Sequence, residues 1–235
     1  MPAPEPRATR RVAVMQPYFF PYAGYFRLFA AVDEFVVYDC VQFPRRGRVH
    51  RTEVGDGQWL TLPLARQPRE VPIRDLRFAD DARNLLDARL AAIPAWRDGE
   101  GPLSTALRER LQSPLEDVVG FLEGLLVFTA AQLGFTPAVR RSSSLDVDPA
   151  LRGQARVLAI ADAVGATAYL NAPGGRALYD ADSFAARGMS LEFLSPYTGP
   201  WVHLLPALLQ ASPAQLRADV LAQLRIEPAS PESRP

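Results

Sequence analysis

Apolar residues near the start of the chain change their spacing twice. Residues 12–15 form a continuous apolar run, which is typical of a buried strand. After Pro21, apolar side chains recur every three or four positions as far as Val32, and this spacing predicts a helix. Residues 35–43 form a second strand-like run that Asp39 and Gln42 interrupt. The first 43 residues therefore predict one βαβ unit, and ligands of such units collect at the carboxyl ends of the strands.

The middle of the chain changes from a strand pattern to a helical one. Residues 59–64 and 71–78 each predict a short strand. From about residue 82 to residue 134 the apolar spacing predicts helices over 84–93, 102–111 and 115–133, with Gly134 placed to end the last one. We expect these helices to form a lobe inserted between two sets of strands.

The alternation of strand and helix returns after residue 137. The pattern predicts an extended segment over 137–145, a helix over 150–164, and strands over 168–171 and 190–194. Alternation of this kind is typical of parallel sheets. The sequence therefore predicts an α/β fold with a mainly parallel sheet of the Rossmann-like, nucleotide-binding type and a helical insertion. Residues 1–10 and 226–235 are rich in Pro and polar residues and are predicted to be disordered, which leaves a single domain over 11–225.

Charge and cysteine content exclude several classes of function. The chain has 26 basic and 26 acidic residues, so no net charge favours general binding to nucleic acid. All the basic residues except histidine are arginine, which excludes a lysine Schiff base. One cysteine and two histidines argue against a disulfide framework and against a zinc site, so no metal is predicted.

No apolar run approaches the roughly 20 residues of a membrane span, and the start has no signal-peptide pattern, so we expect a cytoplasmic protein.

Three segments of the sequence resemble a known family. MQPYFFPYAGYF, YDCVQFPRRGRVHR and YLNAPGGRALYD are similar to segments of the WbqC-like family, found in bacterial surface-polysaccharide gene clusters. The resemblance extends from about Val12 to the low 220s. It implies a biosynthetic enzyme that modifies sugars or nucleotide-sugars.

A weaker resemblance concerns the turn Tyr22-Ala23-Gly24-Tyr25. Strand, Gln-Pro, loop and this turn are similar to the His-x-Gly-His turn of nucleotidyltransferases and class I synthetases, where the turn contacts ATP phosphates. Tyrosine replaces both histidines and carries no positive charge. The resemblance therefore implies the topology of that superfamily without its adenylyl-transfer chemistry, and it leaves ATP open as a cofactor.

An arginine-rich turn follows the second predicted strand. Arg45, Arg46, Arg48 and Arg51 accompany His50 within seven positions. Guanidinium groups form bidentate pairs with phosphate and carboxylate, so this turn is a candidate substrate-binding site for an anion. A solvated turn without a ligand is the alternative. His50 is a candidate catalytic acid or base, because the ordinary pKa of histidine is about 6.5.

Polar side chains at the predicted strand ends form the second candidate group. Asp39 and Gln42 are predicted to be catalytic, if a local twist brings them together, since side chains on a strand alternate. Gln16, Tyr18 and Tyr25 are candidate substrate-binding residues beside them. The alternative is that Asp39 caps a turn and that the aromatic residues mainly pack.

A third candidate group follows the predicted strand over 168–171. Asn171, Gly174, Gly175, Tyr179 and Asp180 are predicted to contact substrate, because glycines between a strand and a helix allow a ligand to approach the backbone. Cys40 is either a thiolate nucleophile or a small buried strand residue, and the pattern favours the latter.

These features predict a transferase. We expect transfer of an acyl or aminoacyl group onto an amino-sugar, a nucleotide-sugar or a related small amine in glycan or specialised-metabolite biosynthesis. An ATP-dependent ligase or nucleotidyltransferase and a non-catalytic metabolite-binding accessory protein are the alternatives. The expected partner is a small anionic substrate, and no nucleic acid is expected to bind. The sequence assigns no cofactor, but an acyl donor and ATP are both open as candidates. A homodimer and a complex with another biosynthetic enzyme are also open.

Overall fold

A computed structural model describes residues 9–229, which form a six-stranded sheet, a separate two-stranded hairpin and nine α-helices. The strands are β1 (Arg11–Met15), β2 (Glu34–Val37), β3 (Arg51–Glu53), β4 (Trp59–Thr61), β5 (Ala138–Arg141), β6 (Ala168–Asn171), β7 (Ser190–Leu194) and β8 (Ile226–Pro228). The helices are α1 (Phe26–Ala31), α2 (Ala82–Ala91), α3 (Pro94–Asp98), α4 (Ser104–Leu111), α5 (Val118–Gln132), α6 (Gly153–Ala163), α7 (Ala181–Ala185), α8 (Leu204–Gln210) and α9 (Pro213–Ala222).

The large sheet has the order β5-β2-β1-β6-β7-β8. Its first five strands are parallel, and β8 pairs antiparallel with β7. The chain first adds strands on one side of β1 and then on the other, so the order reverses between β1 and β6, as in doubly wound nucleotide-binding folds. The predicted α/β fold with a mainly parallel, Rossmann-like sheet is confirmed.

Apolar side chains are buried on both faces of the sheet. One core cluster joins Phe35 and Val37 to side chains from α1, α4, α5, α8 and α9, and the other joins Val12, Val14 and Val36 to α6. All four residues of β2 are buried, because helices cover both of its faces. Within residues 9–229, no helix combines the length and the apolar content that crossing a bilayer requires.

Two predicted strands differ from the structure. The run over 35–43 ends its pairing at Val37, because the chain then bends towards the segment that follows β5. Residues 71–78 contain a 3₁₀ turn, Ile73–Asp75, and their main chain bonds irregularly to residues 39–43. Pro72 contributes no N–H group, so a regular ladder cannot continue through it.

The chain ends differ in part from the prediction. Ile226–Pro228 was assigned to a disordered tail, but it forms β8 and so extends the sheet beyond β7. The Ala229 amide still donates to the Leu191 carbonyl at 2.9 Å. Arg10 also has defined contacts, including a 2.6 Å ion pair with Glu34. The disorder predicted for residues 1–8 and 230–235 lies outside the described residues.

The helical pattern between residues 82 and 134 corresponds to α2, α3, α4 and α5. The helix α3 lies between the predicted helices over 84–93 and 102–111, and Pro94 begins it, since proline is tolerated in the first turn of a helix. Asp117 caps α5 by accepting from the Val119 and Gly120 amides, and Gly134 follows this helix with a φ of 71°. Positive φ favours glycine there.

Arg27 attaches α1 to the end of the chain. Its side chain is fully buried; Nε donates to the Gly24 carbonyl at 3.0 Å and Nη1 to the Gln223 carbonyl at 2.8 Å. The guanidinium lies 5.5 Å from the centroid of the Tyr197 ring. These contacts hold the loop after β1 against the segment that follows α9.

We expect Arg27→Ala to lower the free energy of unfolding by about 2–4 kcal/mol, because it leaves a cavity and two buried carbonyls without their donor. Urea unfolding followed by tryptophan fluorescence measures this change. Arg225→Ala is the control: Arg225 is exposed and, among the described residues, its side chain bonds only to the adjacent Leu224 carbonyl, so the change should stay within about 0.5 kcal/mol. Equal losses in the two variants would contradict this role of Arg27.

Candidate functional site

Two loops meet beside the carboxyl end of β1. The aromatic loop (residues 16–25) follows β1, and the arginine loop (residues 44–51) precedes β3. The Phe19 amide donates to the Arg48 carbonyl at 3.0 Å, and the Thr52 hydroxyl donates to the Phe20 carbonyl at 2.9 Å. The two segments that the sequence singles out are therefore neighbours, joined through their main chains.

Most of the aromatic loop packs in the core. Tyr25 is buried, and its hydroxyl donates to the Gln16 carbonyl at 2.8 Å. The Tyr18 ring lies 5.6 Å from the Tyr25 ring and keeps partial exposure. Burial raises the pKa of both phenols, most strongly that of Tyr25, so both are neutral at physiological pH. Tyr25 thus supports the loop, while Tyr18 and Gln16 keep accessible surface.

The glycine of the Tyr22–Tyr25 turn is covered by the protein itself. A Cβ atom at Gly24 would lie 2.4 Å from the Tyr22 ring and 2.5 Å from the Tyr197 ring. Gly24 is needed here because these aromatic side chains pack on its backbone. That space is therefore filled by protein atoms and is not open to a nucleotide.

The arginine loop carries cations without carboxylate partners. Within residues 9–229, Arg45, Arg46, Arg48 and Arg51 form no ion pair. Arg45 donates to the Gln67 carbonyl, Arg51 donates to the Arg46 carbonyl, and the guanidiniums of Arg48 and Arg51 lie 5.1 and 4.6 Å from the Trp59 ring. The arginine hollow, a depression of about 380 Å³ lined by Gln42, Arg45, Arg46 and Arg69, opens beside this loop.

His50 faces a different part of the loop. Its ring lies 4.9 Å from the Phe43 ring, and its Nδ1 atom is buried without a hydrogen-bond partner among the described residues. Burial and the neighbouring Arg51 charge lower the pKa of His50 to about 4. At neutral pH the imidazole is therefore uncharged. It can accept a proton, but it cannot start a reaction as a cationic acid.

Asp39 links the ends of β2 and β5. Its carboxylate is buried and accepts from the Ser142 hydroxyl at 2.8 Å, the Ser143 amide at 2.9 Å and the Ser143 hydroxyl at 2.5 Å. Gln42 is exposed instead, and its Nε2 donates to the Arg69 carbonyl at 3.2 Å. The two side chains therefore do not converge, because Asp39 bonds to the segment after β5 and Gln42 is exposed. The catalytic role of each stays a prediction.

A cavity of about 590 Å³ opens between the ends of β2 and β5 and the start of α6. Its polar wall includes Cys40, Gln42, Glu70, Arg74, Arg152 and Arg156. This position agrees with the general rule that ligands of parallel sheets bind at the carboxyl ends of strands. Gln42 also lines the arginine hollow, so it forms the boundary between the two depressions.

Cys40 and Arg156 lie together on the wall of this cavity. Arg156 Nη1 donates to the Cys40 carbonyl at 3.0 Å and lies 3.6 Å from Cys40 Sγ, and the Ser142 hydroxyl lies 3.2 Å from the same sulfur. Cys40 is partly exposed, so the buried strand residue that the pattern favours is instead a cavity residue beyond the end of β2.

The third predicted group adjoins the cavity. Asn171 Nδ2 donates to the Tyr169 hydroxyl at 2.8 Å, and Asn171 Oδ1 accepts from the Ala172 amide at 2.6 Å. The Tyr179 ring lies 5.5 Å from the Tyr169 ring. Tyr38 joins this cluster to the cavity: burial raises its pKa to about 12, and it interacts with both Tyr179 and Arg156.

The remaining residues of this group differ in their accessibility. A Cβ atom at Gly175 would lie 3.1 Å from the Asn171 side chain, whereas a Cβ at Gly174 would meet no atom within 4 Å. The Asp180 side chain caps α7 through the Ser183 amide, and the Asp180 amide donates to Gln154 near the start of α6. Gly174 and Asp180 are exposed and Tyr179 is partly exposed, whereas Asn171 and Gly175 are buried.

Sequence reasoning missed the basic wall of the cavity. Arg74, Arg152 and Arg156 lie far from the arginine loop in sequence, and the folding of the sheet brings them to one edge. The available signal was the run Arg152-Gly153-Gln154-Ala155-Arg156 at the start of a predicted helix. Among the residues that the structure describes, no group of three or more His, Cys, Asp or Glu side chains could hold a metal ion.

We expect Asp39→Asn to lower the free energy of unfolding by about 1–3 kcal/mol, because one acceptor becomes a donor facing the Ser143 amide. Ser144→Ala is the control, since its hydroxyl bonds to the Arg141 carbonyl and does not touch Asp39. Urea midpoints measure both variants. Loss of turnover at unchanged stability in Asp39→Asn would instead show that Asp39 is a reacting group.

We expect His50 to make stability depend on pH between about 6.5 and 4. In the unfolded chain His50 is protonated as the pH falls through about 6.5, whereas in the folded protein it is protonated only near pH 4. Between these values the unfolded state binds more protons, so the free energy of unfolding decreases as the pH falls. His50→Gln should remove this part of the slope. Urea midpoints from pH 4 to 7.5 and the NMR titration of the imidazole measure it, with His203→Gln to assign the signals. An imidazole that titrates near 6.5 would contradict the prediction.

Comparison with known proteins identifies the family. The profile of the WbqC-like protein family matches residues 16–201, which include both loops, the cavity and the Asn171 cluster. A segment of 58 residues is 38% identical to an uncharacterized protein of Mycobacterium tuberculosis; it covers 23% of this chain and 25% of that protein, so the match spans about a quarter of the relative's length. No solved structure matches the chain significantly. Because the profile covers most of the sequence, the chain belongs to the WbqC-like protein family.

Proposed function

We propose that the protein is a biosynthetic transferase that moves an acyl or aminoacyl group onto a small amine carrying an anionic group. An amino-sugar or a nucleotide-sugar fits this description. The reaction serves glycan or specialised-metabolite biosynthesis. Membership of the WbqC-like family supports a biosynthetic role, and the arrangement of the two depressions supports a reaction between two substrates.

The observation that carries the proposal is the position of Gln42. This side chain lines both the 590 Å³ cavity and the 380 Å³ arginine hollow. Each depression has arginine side chains on its wall, so each suits a ligand with phosphate or carboxylate groups. A donor in one depression and an acceptor in the other would meet beside Gln42. Holding two reactants next to each other supplies a large part of the catalysis of a bimolecular reaction.

The side chains near this boundary suit the chemistry of amide formation. The Gln42 amide can donate to the carbonyl that is attacked, and preorganised donors of this kind stabilise a developing oxyanion. As the amide bond forms, the acyl–sulfur or acyl–oxygen bond of the donor breaks; Glu70, on the cavity wall, can accept the proton that the attacking amine loses and return it to the departing thiol or alcohol. His50 lines a separate depression of about 350 Å³ with Arg45 and Arg89, outside the two that share Gln42.

ATP-dependent ligation is the main alternative within enzymes. It rests on the Tyr22–Tyr25 turn, whose glycine is packed under Tyr22 and Tyr197. A nucleotide therefore gains no approach to the backbone at that point. Transfer from an activated donor needs no nucleotide, and addition of ATP and magnesium to the assay should leave product formation unchanged.

The test is an assay of the full chain with amino-sugars and amino-sugar nucleotides as acceptors and acyl thioesters or aminoacyl esters as donors. Mass spectrometry detects the new amide. We expect Gln42→Ala to lower kcat/KM by about 10–100-fold, because misplacement of the reacting groups costs that much. Gln112→Ala is the matched control, since Gln112 is an exposed residue at the end of α4, outside both depressions. Its activity should equal that of the original chain.

Three outcomes would count against the proposal. Full activity in Gln42→Ala would show that the reaction does not take place at the boundary between the two depressions. Product that forms only with ATP and magnesium would support the ligase. Acceptor binding, measured by calorimetry, without any amide product would support a non-catalytic accessory protein.

A further inference from the structure

Helix α6 begins on the cavity wall without a side-chain cap. Its first residue, Gly153, lines the cavity, and within residues 9–229 no side chain bonds to the first-turn amides. Gly153 has a φ of 52°, a conformation that favours glycine, and a Cβ atom placed there would meet nothing within 4 Å. The start of an 11-residue helix carries unpaired N–H groups and partial positive charge. A ligand in the cavity can therefore approach these amides closely.

Arg156 lies one turn further along the same helix. The residue is only 7% exposed, and its terminal nitrogens donate to the Cys40 carbonyl at 3.0 Å and to the Pro149 carbonyl at 2.6 Å. Its Nε atom is buried without a hydrogen-bond partner, and within residues 9–229 Arg156 forms no ion pair. Unlike the fully buried Arg27, Arg156 lines a cavity, so an anion held there can offset a guanidinium charge that otherwise has only carbonyl acceptors.

The rest of the wall has the same sign of charge. Arg152 immediately precedes α6 and lines the cavity, and Arg74 lines it from the opposite segment. Arg74 has a loose contact with Asp75 at 3.9 Å, and both side chains are about half exposed. Among the described lining residues, Glu70 is the one carboxylate. Three guanidiniums and a helix start thus face one acidic group.

We infer that the start of α6, together with Arg152 and Arg156, binds a phosphate group of the substrate, either a phosphate ester or a diphosphate. Two guanidiniums and the helix amides match the double charge and the several acceptor oxygens of phosphate better than the single charge of a carboxylate. The inference rests on the proposed function, because it specifies the substrate class of the same cavity. The phosphate is placed at α6 and not at the arginine loop, because Arg156 is buried and its charge is less screened by water. Arg45, Arg46 and Arg48 of the arginine loop are exposed to water.

Cys40 provides a local reporter of this site. It is the one cysteine of the sequence, it lines the cavity, and its Sγ lies 3.6 Å from Arg156 Nη1. A phosphate held at the start of α6 should obstruct access to this sulfur. The rate of alkylation by iodoacetamide, followed by intact-protein mass spectrometry, therefore measures occupancy of the site without any turnover.

The experiment compares alkylation in inorganic phosphate, in pyrophosphate, in acetate and in chloride at one ionic strength. We expect both phosphates to slow alkylation of the full chain several-fold. Arg152→Gln and Arg156→Gln should lose most of this protection. Arg97→Gln should keep it, because Arg97 is an exposed arginine on α3, away from the cavity wall. Circular dichroism checks the fold of each variant. If Arg156→Gln unfolds the protein, the protection measured in Arg152→Gln is the test of the phosphate site.

Several results would overturn the inference. These are unchanged alkylation of the original chain in phosphate, equal protection in Arg152→Gln, and equal protection by acetate, which would make the site one for carboxylates. The two proposals can fail separately. If phosphate protects Cys40 but the transfer assay forms no amide, only the proposed reaction is contradicted. If amide forms but phosphate does not protect Cys40, only the phosphate site is contradicted.

Discussion

The hydrogen bonds of the Asp39 carboxylate hold the candidate site together. Strands β2 and β5 are parallel neighbours, and their ladder ends at the pair Val37 and Arg141. Asp39 joins them again by accepting from Ser142 and from both the amide and the hydroxyl of Ser143. The 590 Å³ cavity lies beside this contact, and Cys40, Ser142, Ser143 and the start of α6 line it. The position of these lining residues therefore depends on a buried carboxylate whose donors are already in place.

Two buried arginines occupy different surroundings, one in the closed core and one on a cavity wall. Arg27 and Arg156 both donate to main-chain carbonyls, and neither has a carboxylate partner within residues 9–229. Arg27 is enclosed completely beside Tyr197, and its Nη2 atom is buried without a hydrogen-bond partner among the described residues, so no ligand can reach it. Arg156 forms part of a cavity wall beside an uncapped helix start. The same residue type thus closes the core at one place and leaves a positive field at the other.

The sequence predicted the fold better than the site, for physical reasons. Apolar spacing reports which face of an element is buried, and it located β1, α5, α6 and β6 to within a few residues. It overextended β2 because residues after Val37 are still apolar, although they pair irregularly with residues 71–74. It also missed β8, because a short edge strand with Pro and Glu has the composition of a loose tail. The arginine loop was visible because its cations are adjacent in sequence. Arg74, Arg152 and Arg156 were not, since only the pairing of β5 with β2 brings them together.

A formal charge of zero for the whole chain conceals a local excess of positive charge. Residues 45–77 contain eight arginines and four acidic residues, which gives a difference of +4, so the remainder of the chain must carry −4. Both depressions that share Gln42 draw arginines from this segment. Exposed charges act over roughly 8–10 Å at physiological ionic strength, about the scale of a small substrate. The argument from net charge therefore disfavours attraction of long polyanions to the whole surface, but it places no limit on attraction of a small anion to this edge of the sheet.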